Sequence, residues 1–476
     1  MKVIKNYLYN ASYQLLAIIV PLVTAPYISR VLHASGVGIN AYTNSIIQYF
    51  ILLAQLGITL YGSKQIASVR NDKKALSKNF WEIQLVKTIT TLIAVILLII
   101  FIIIYPRYQV YMLIQIINVI AVAFDVSWFF SGLEDFKKIV LRNTFIRLLS
   151  VVLIFGLIRK ANQTWLYILI LSISTLLGNI TLWTYLRPQI KKINFDDLNL
   201  LIHLSALISL FIPTLATTVY MQLNKTMLGS MCGADYSGYY YNSDQLIRAV
   251  LTLATSLGTV MLPHVAAAYS KGDKRRVKAM LYTSFDFISL VCVPMFFGLA
   301  GIAIKLGPFF YGKGFSIVGI AMFLESPIIV LIGWNNTTGN QYLVPTGKNK
   351  VFSHSVIYGA IFNILANIPM IYFFNIYGAM IVTVLSEAFV SIYQIIAIRQ
   401  EIKCKYLFKN MPKYMLAGFL MFIPVFLLNQ KLSAHIWTFT LEIVVGIVIY
   451  SILIILLRTT SLELIENFLK KENSNQ

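Results

Sequence analysis

A chain of 476 residues that is 58% hydrophobic and only 12% charged is not an ordinary soluble globule, in which about a quarter of residues are charged. Apolar runs of about 20 residues, the length that crosses a bilayer as helix, follow one another from end to end. The formal net charge of +21 is spread over short loops, which argues against nucleic acid as a partner and for attraction to anionic membrane lipid.

Taken in chain order, the hydropathy predicts about fourteen spans, near 7–31, 38–60, 81–105, 108–131, 139–158, 165–186, 206–230, 239–266, 280–304, 318–345, 351–374, 377–399, 412–430 and 435–458. The expected fold class is an all-α polytopic membrane protein. Lys2 and Lys5 precede the first run, which continues past Pro21 to Leu32 without a small-residue cleavage site. It is expected to stay as a span. About 28 of the 39 Lys and Arg fall in the N-terminus, in loops after even-numbered spans and in the C-terminus, against about 6 in loops after odd-numbered spans. VRNDKKALSK (69–78) and SKGDKRRVK (270–278) are the clearest basic loops. This bias predicts that both termini are cytoplasmic. The longest outside loop, near 306–317, has no room for a folded extracellular domain.

Cys232, Cys292 and Cys404 lie far apart, and the five histidines form no metal-ligand spacing. Walker A, G-x-S-x-G and dinucleotide fingerprints are absent. No cofactor, metal or catalytic site is expected. Without an ATP motif, any pumping must draw on an ion gradient or on the substrate's own gradient.

GINAYTNSIIQ (38–48) aligns with GYYYNSDQLIR (238–248), pairing Gly38 with Gly238, Asn44 with Asp244, Ile47 with Ile247 and Gln48 with Arg248. One residue later the match resumes, with Leu56-Gly57 on Leu257-Gly258, Ala67 on Ala268 and Asp72-Lys73-Lys74 on Asp273-Lys274-Arg275. An offset near 200 covers six spans, an even number, so the second copy enters the membrane in the same direction as the first. The expected division is an N-terminal lobe at 1–200 (spans 1–6), a C-terminal lobe at 201–405 (spans 7–12), and an appended pair with a cytoplasmic tail at 406–476. The substrate path is expected between the lobes.

Asn40, Asn44 and Gln48 recur every four residues, as do Tyr240, Asp244 and Arg248, so each set makes one stripe down a helix. Charged groups at mid-bilayer cost about 2.5–3.5 kcal/mol on insertion scales and should face protein or water. The stripes are therefore candidate walls of a hydrophilic cavity, and Asp244 and Arg248 can also neutralise each other at i, i+4. Arg30 and Lys225 are candidate cavity cations for an anionic head group, or snorkelling residues. Asp125 and Arg147 flank the inside turn near Glu134–Lys138 at almost equal distance, which fits an ion pair or proton coupling. Lys87 could snorkel past Trp81. Glu387 is either a protonatable group or a hydrogen-bonded structural glutamate. Pro21, Pro26 and Pro213 allow bends in the lead helix of each lobe.

Several segments together resemble the polysaccharide flippases of the multidrug/oligosaccharidyl-lipid/polysaccharide exporter superfamily, over nearly the full length. They are PYISRVLHASGVGINAY (26–42), WFFSGLEDFKKI (128–139), NKTMLG (224–229) before GADYSGYYY (233–241), GNQYLVPTGKNK (339–350) before a helix holding Asn363 and Asn367, and GAMIVTVLSE (378–387). Relatives often carry Asp before the lysine of the seventh span, where this chain has Asn224. The resemblance implies a non-enzymatic flippase for an undecaprenyl-diphosphate-linked oligosaccharide, moved to the outer leaflet by alternating access. A polysaccharide polymerase and other assembly proteins would then act on the product. Flippases of lipid-linked peptidoglycan precursors are the near alternative. Multidrug antiporters and membrane-bound polymerases fit less well, because intramembrane cations outnumber acids and no large outside loop is present.

Overall fold

The computed structural model describes residues 2–191, 198–256 and 261–459. Leu257-Gly258 of the repeat and the tail from position 460 lie outside the described residues. Every described element is helical, as expected where hydrocarbon supplies no partner for backbone groups. The chain divides into two compact units, Met1–Gly238 and Tyr239–Gln476.

The first unit contains α1 (Lys2–Gln55), α2 (Ile58–Val69), α3 (Lys73–Ile104), α4 (Gln109–Phe124), α5 (Ser127–Gly132), α6 (Phe136–Leu157), α7 (Thr164–Trp183) and α8 (Leu201–Met231). Helix α9 (Ala234–Ser256) runs across the division. The second unit continues with α10 (Met261–Ser270), α11 (Lys274–Tyr311), α12 (Ser316–Glu325), α13 (Ile328–Asn335), α14 (Asn349–Ile398), α15 (Cys404–Leu407), α16 (Met411–Lys431) and α17 (Ile436–Leu456).

Among the described residues, nine helical segments are long and apolar enough to cross a membrane, or eleven if two bent pairs each count as one span. The expected number was about fourteen. Part of the difference lies in α1 and α14, each of which holds two expected spans. Their backbone leaves the helical region at His33 (φ 57°) in α1 and at Asn375 (φ 50°) in α14. The break in α1 follows Pro21 and Pro26, which lie within continuous helix. In α8 the bend falls between Ile212 and Thr214, at Pro213. Helix α9 is long enough to span but lies outside the apolar set, because its polar stripe lowers its hydropathy.

The basic loops end in matching caps. Asp72 Oδ1 accepts from the Lys74 and Ala75 amides at 2.8 and 3.2 Å, starting α3. Its repeat partner Asp273 accepts from the Arg276 amide at 2.9 Å, starting α11. A side-chain acceptor at this position satisfies helix donors that have no intrahelical partner.

In the first unit, Phe80 stacks on Trp128 with centroids 5.6 Å apart, within a core that includes Phe129, Phe130, Leu182 and Leu207. A second cluster joins Tyr42 and Ile47 to Leu98 and Met112. The second unit centres on Phe285, stacked on Trp334. Outward faces are apolar too: Leu92, Ile96, Ile103 and Ile104 of α3 and Ile443, Ile447 and Leu456 of α17 are exposed. Contiguous surfaces of this kind suit contact with acyl chains, not water. The chain is a multi-pass membrane protein.

Candidate polar sites in the two units

Beyond the His33 break, α1 presents three different strips. Asn40, Asn44 and Gln48 are half-buried, whereas Tyr42, Thr43, Ser45, Ile46 and Ile47 are buried. Gln48 Nε2 donates to Asn44 Oδ1 at 3.4 Å, and Gln115 Nε2 from α4 reaches Asn40 Oδ1 at 3.5 Å. The expected stripe is thus a chain of amides with capacity for further hydrogen bonds. A second strip meets α8. Tyr42 Oη lies 3.1 Å from Ser230 Oγ, Ser45 Oγ lies 2.8 Å from Thr226 Oγ1, and Tyr49 Oη lies 3.1 Å from the same threonine. Gly229 makes room there for the Tyr42 ring. Lys225 is half-buried next to Thr226, and Arg30 is exposed on the segment before the break.

In the second unit, Arg248 Nε contacts both Asp244 oxygens, at 2.7 and 2.8 Å. Mutual neutralisation at i, i+4 is therefore realised. The pair keeps partial access to solvent, with 34% of the Arg248 and 16% of the Asp244 side chain exposed. Tyr240, the third member of the stripe, is buried with its hydroxyl 3.5 Å from Thr383 Oγ1. Beside them stands a residue that the sequence reading did not select. Glu325, at the end of α12, is fully buried, accepts from Ser243 Oγ at 3.0 Å, and has Asp244 and Arg248 as charged neighbours. Its signal, a lone acid in the apolar run of the tenth expected span, is the one that drew attention to Glu387.

The remaining intramembrane charges have defined surroundings. The Asp125 cation is Lys87, with Nζ 3.7 Å from Oδ2 and 2.6 Å from the Asp125 carbonyl oxygen. Lys87 is fully buried and does not snorkel. The symmetric count that paired Asp125 with Arg147 assumed two straight helices about one turn. The chain instead breaks after Phe124, forms α5, and turns again before α6. Arg147 is half-buried on α6, where its carbonyl accepts from Ser150 Oγ. Glu387 is a hydrogen-bonded glutamate: Asn335 Nδ2 donates to its Oε2 at 2.7 Å, while Asn335 Oδ1 accepts from Ser391 Oγ.

The segment GNQYLVPTG contributes to a π-helix at Asn336–Leu343. Its wider turn lets Gln341 Nε2 bond Asn336 Oδ1, five residues back, at 3.2 Å. Such turns often occur at functional positions. Asn367 donates to Asn363, which donates to Ser386, forming a buried amide relay on α14. A further buried relay lies in the first unit, where His203 joins Tyr61 Oη at 2.7 Å to Glu82 Oε2 at 3.0 Å. No group of three or more metal-ligating side chains occurs among the described residues.

These sites offer amides and hydroxyls for sugar-like groups and cations for phosphate-like ones. A solved structure of the lipid II flippase MurJ, in an inward closed conformation, shares the fold with a TM-score of 0.71 at 16% identity, covering 94% of this chain and 98% of that one. A multidrug resistance MATE family transporter in an outward-facing conformation gives 0.55 at 15% identity, covering 86% of this chain and 96% of that one. In sequence, a candidate O-antigen transporter from Shigella dysenteriae is 24% identical over 389 residues, covering 80% of this chain and 96% of that relative. A family model described as polysaccharide biosynthesis protein matches residues 3–269, more than half of the chain. Helical fold, embedded polar stripes and this match agree, and the chain belongs to the polysaccharide biosynthesis protein family.

Proposed function

We propose that this protein is a flippase that carries a lipid-linked oligosaccharide, joined to its polyprenyl tail by diphosphate, from the inner to the outer leaflet of a bacterial cell membrane. Both termini lie in the cytoplasm, and the protein alternates access between the two sides without altering its cargo chemically. A polymerase and other assembly proteins receive the product outside. The reading is carried by the O-antigen transporter relative, which matches along almost its whole length. The polar stripes support it physically. A glycosyl diphosphate cannot cross hydrocarbon bare, and Asn40, Asn44, Gln48, Tyr240 and the Asp244–Arg248 pair offer hydrogen bonds within the membrane, while Lys225 and Arg30 offer positive charge.

The test uses vesicles containing the purified protein and a radiolabelled undecaprenyl-diphosphate oligosaccharide. Protein-dependent exposure of the inner-leaflet glycan to an impermeant oxidant is expected. Equal exposure with and without protein would overturn the reading. Running a lipid-linked peptidoglycan precursor alongside separates the two substrate classes, and a strong preference for the precursor would favour that alternative.

A further inference from the structure

We infer that Glu325, Asp244 and Arg248 form a binding site for one exchangeable proton, through which the transport cycle draws on a proton gradient. The argument begins with charge and hydrogen-bond balance. Arg248 Nε contacts both Asp244 oxygens, so its cation is already matched. Glu325 is a second carboxyl group in the same patch, fully enclosed, with Asp244 and Arg248 as neighbours. Ser243 supplies a donor to Oε2 at 3.0 Å, while Oε1 is buried without a hydrogen-bond donor. Two ionised carboxylates against one guanidinium would leave an uncompensated charge in a dry site, which proteins avoid by holding a proton.

A proton on Glu325 Oε1 resolves both problems. The new O–H can donate toward Asp244, and the three groups sum to zero charge. The other groups around the patch do not supply the missing positive charge. Tyr240 on α9 is a phenol whose hydroxyl lies 3.5 Å from Thr383 Oγ1 on α14. Tyr311 on α11 donates to the Asn242 carbonyl at 2.8 Å, and Lys313, in the short turn before α12, is exposed. Glu387 on α14 accepts from Asn335. Partial exposure of the Asp244–Arg248 pair gives solvent a route to Asp244, while Glu325 stays enclosed. Proton entry by way of Asp244 follows from that gradation. The coupling part of the inference rests on the flippase reading; the proton site does not.

The test begins with purified protein in lipid nanodiscs and acid-minus-alkaline infrared difference spectra. A protonated-carboxyl C=O band is expected in the wild type, absent in Glu325→Gln, shifted or lost in Asp244→Asn, and unchanged in Glu387→Gln. If Glu325→Gln does not fold, Asp244→Asn carries the same test. A band that persists unshifted in both variants, or one driven by sodium at fixed pH, overturns the site. In vesicles, an imposed pH gradient should speed glycan movement several-fold in the wild type and leave Glu325→Gln unaffected. Gradient-insensitive movement by the wild type overturns the coupling. A band that depends on Glu325, with no glycan movement by any form, keeps the site and overturns the flippase reading instead.

Discussion

Gly38 and Gly238 lie against each other, so close that a methyl group on Gly238 would come within 2.8 Å of the Gly38 Cα. They are also the residues that open the two copies of the internal repeat. A methyl on Gly38 would come 2.1 Å from the Ala234 carbonyl oxygen, and backbone there cannot swing aside as a flexible side chain could. Gly38→Ala should therefore destabilise the protein by about 1–3 kcal/mol, the usual range for overpacking. Gly156→Ala in α6, with open space around it, should be neutral or gain up to about 1 kcal/mol from helix propensity. Thermal unfolding of both variants in detergent checks the contrast, and equal midpoints would contradict the close approach.

Lys87 and Asp125 should behave as one energetic unit. Removing the fully buried cation by Lys87→Met leaves Asp125 unmatched and should cost about 3–5 kcal/mol, whereas adding Asp125→Asn should recover part of that loss. A double-mutant cycle on chemical unfolding reads the coupling. Strictly additive losses would show that the two groups do not pair.

Acid should weaken the contact among Lys348, Tyr342 and Glu401. Partial burial pushes the Glu401 carboxyl up, but hydrogen bonds from Lys348 and Tyr342 outweigh it and hold the group below its ordinary value of 4.5. A carboxylate depressed in the folded state stabilises the fold above its unfolded pKa. That contribution fades as pH falls through the lower folded value. The difference in melting temperature between wild type and Glu401→Gln should thus be largest near neutrality and shrink toward zero in acid. The pair is partly solvated, so the effect should be at most about 1 kcal/mol. A gap that widens in acid would contradict the assigned direction.

Thiol accessibility should follow the strips of α1. With Cys232, Cys292 and Cys404 replaced, Asn44→Cys should react with a membrane-impermeant maleimide, while Thr43→Cys and Ser45→Cys, at fully buried positions, should not. Uniform labelling of all three would remove the stripe from the candidate substrate contacts.

The fold class was readable because hydrocarbon imposes a simple rule: long apolar runs become helices. The Asp72 and Asp273 caps were foreshadowed by the repeat, and the Asp244–Arg248 pair by its i, i+4 spacing. Contacts that depend on chain breaks were not readable. Asp125 finds Lys87, 38 residues earlier, because the chain turns beside it. Glu325 escaped notice because Ser326-Pro327 makes it resemble an ordinary helix end, whereas packing of α12 against α11 and α14 encloses it. Half-burial along α1 follows helical periodicity, but the donors that reach it from α4 require the tertiary fold.

The wide turn at Asn336–Leu343 carries a consequence at the level of the gene. A π-turn accommodates one residue more than the α-turn it replaces. Loss of a single codon within it would therefore let the stretch rewind as ordinary helix, turning whatever follows by roughly 100° about the axis. Substitutions here adjust local chemistry, but an in-frame deletion changes rotational phase, so lineages should tolerate the former far more readily than the latter.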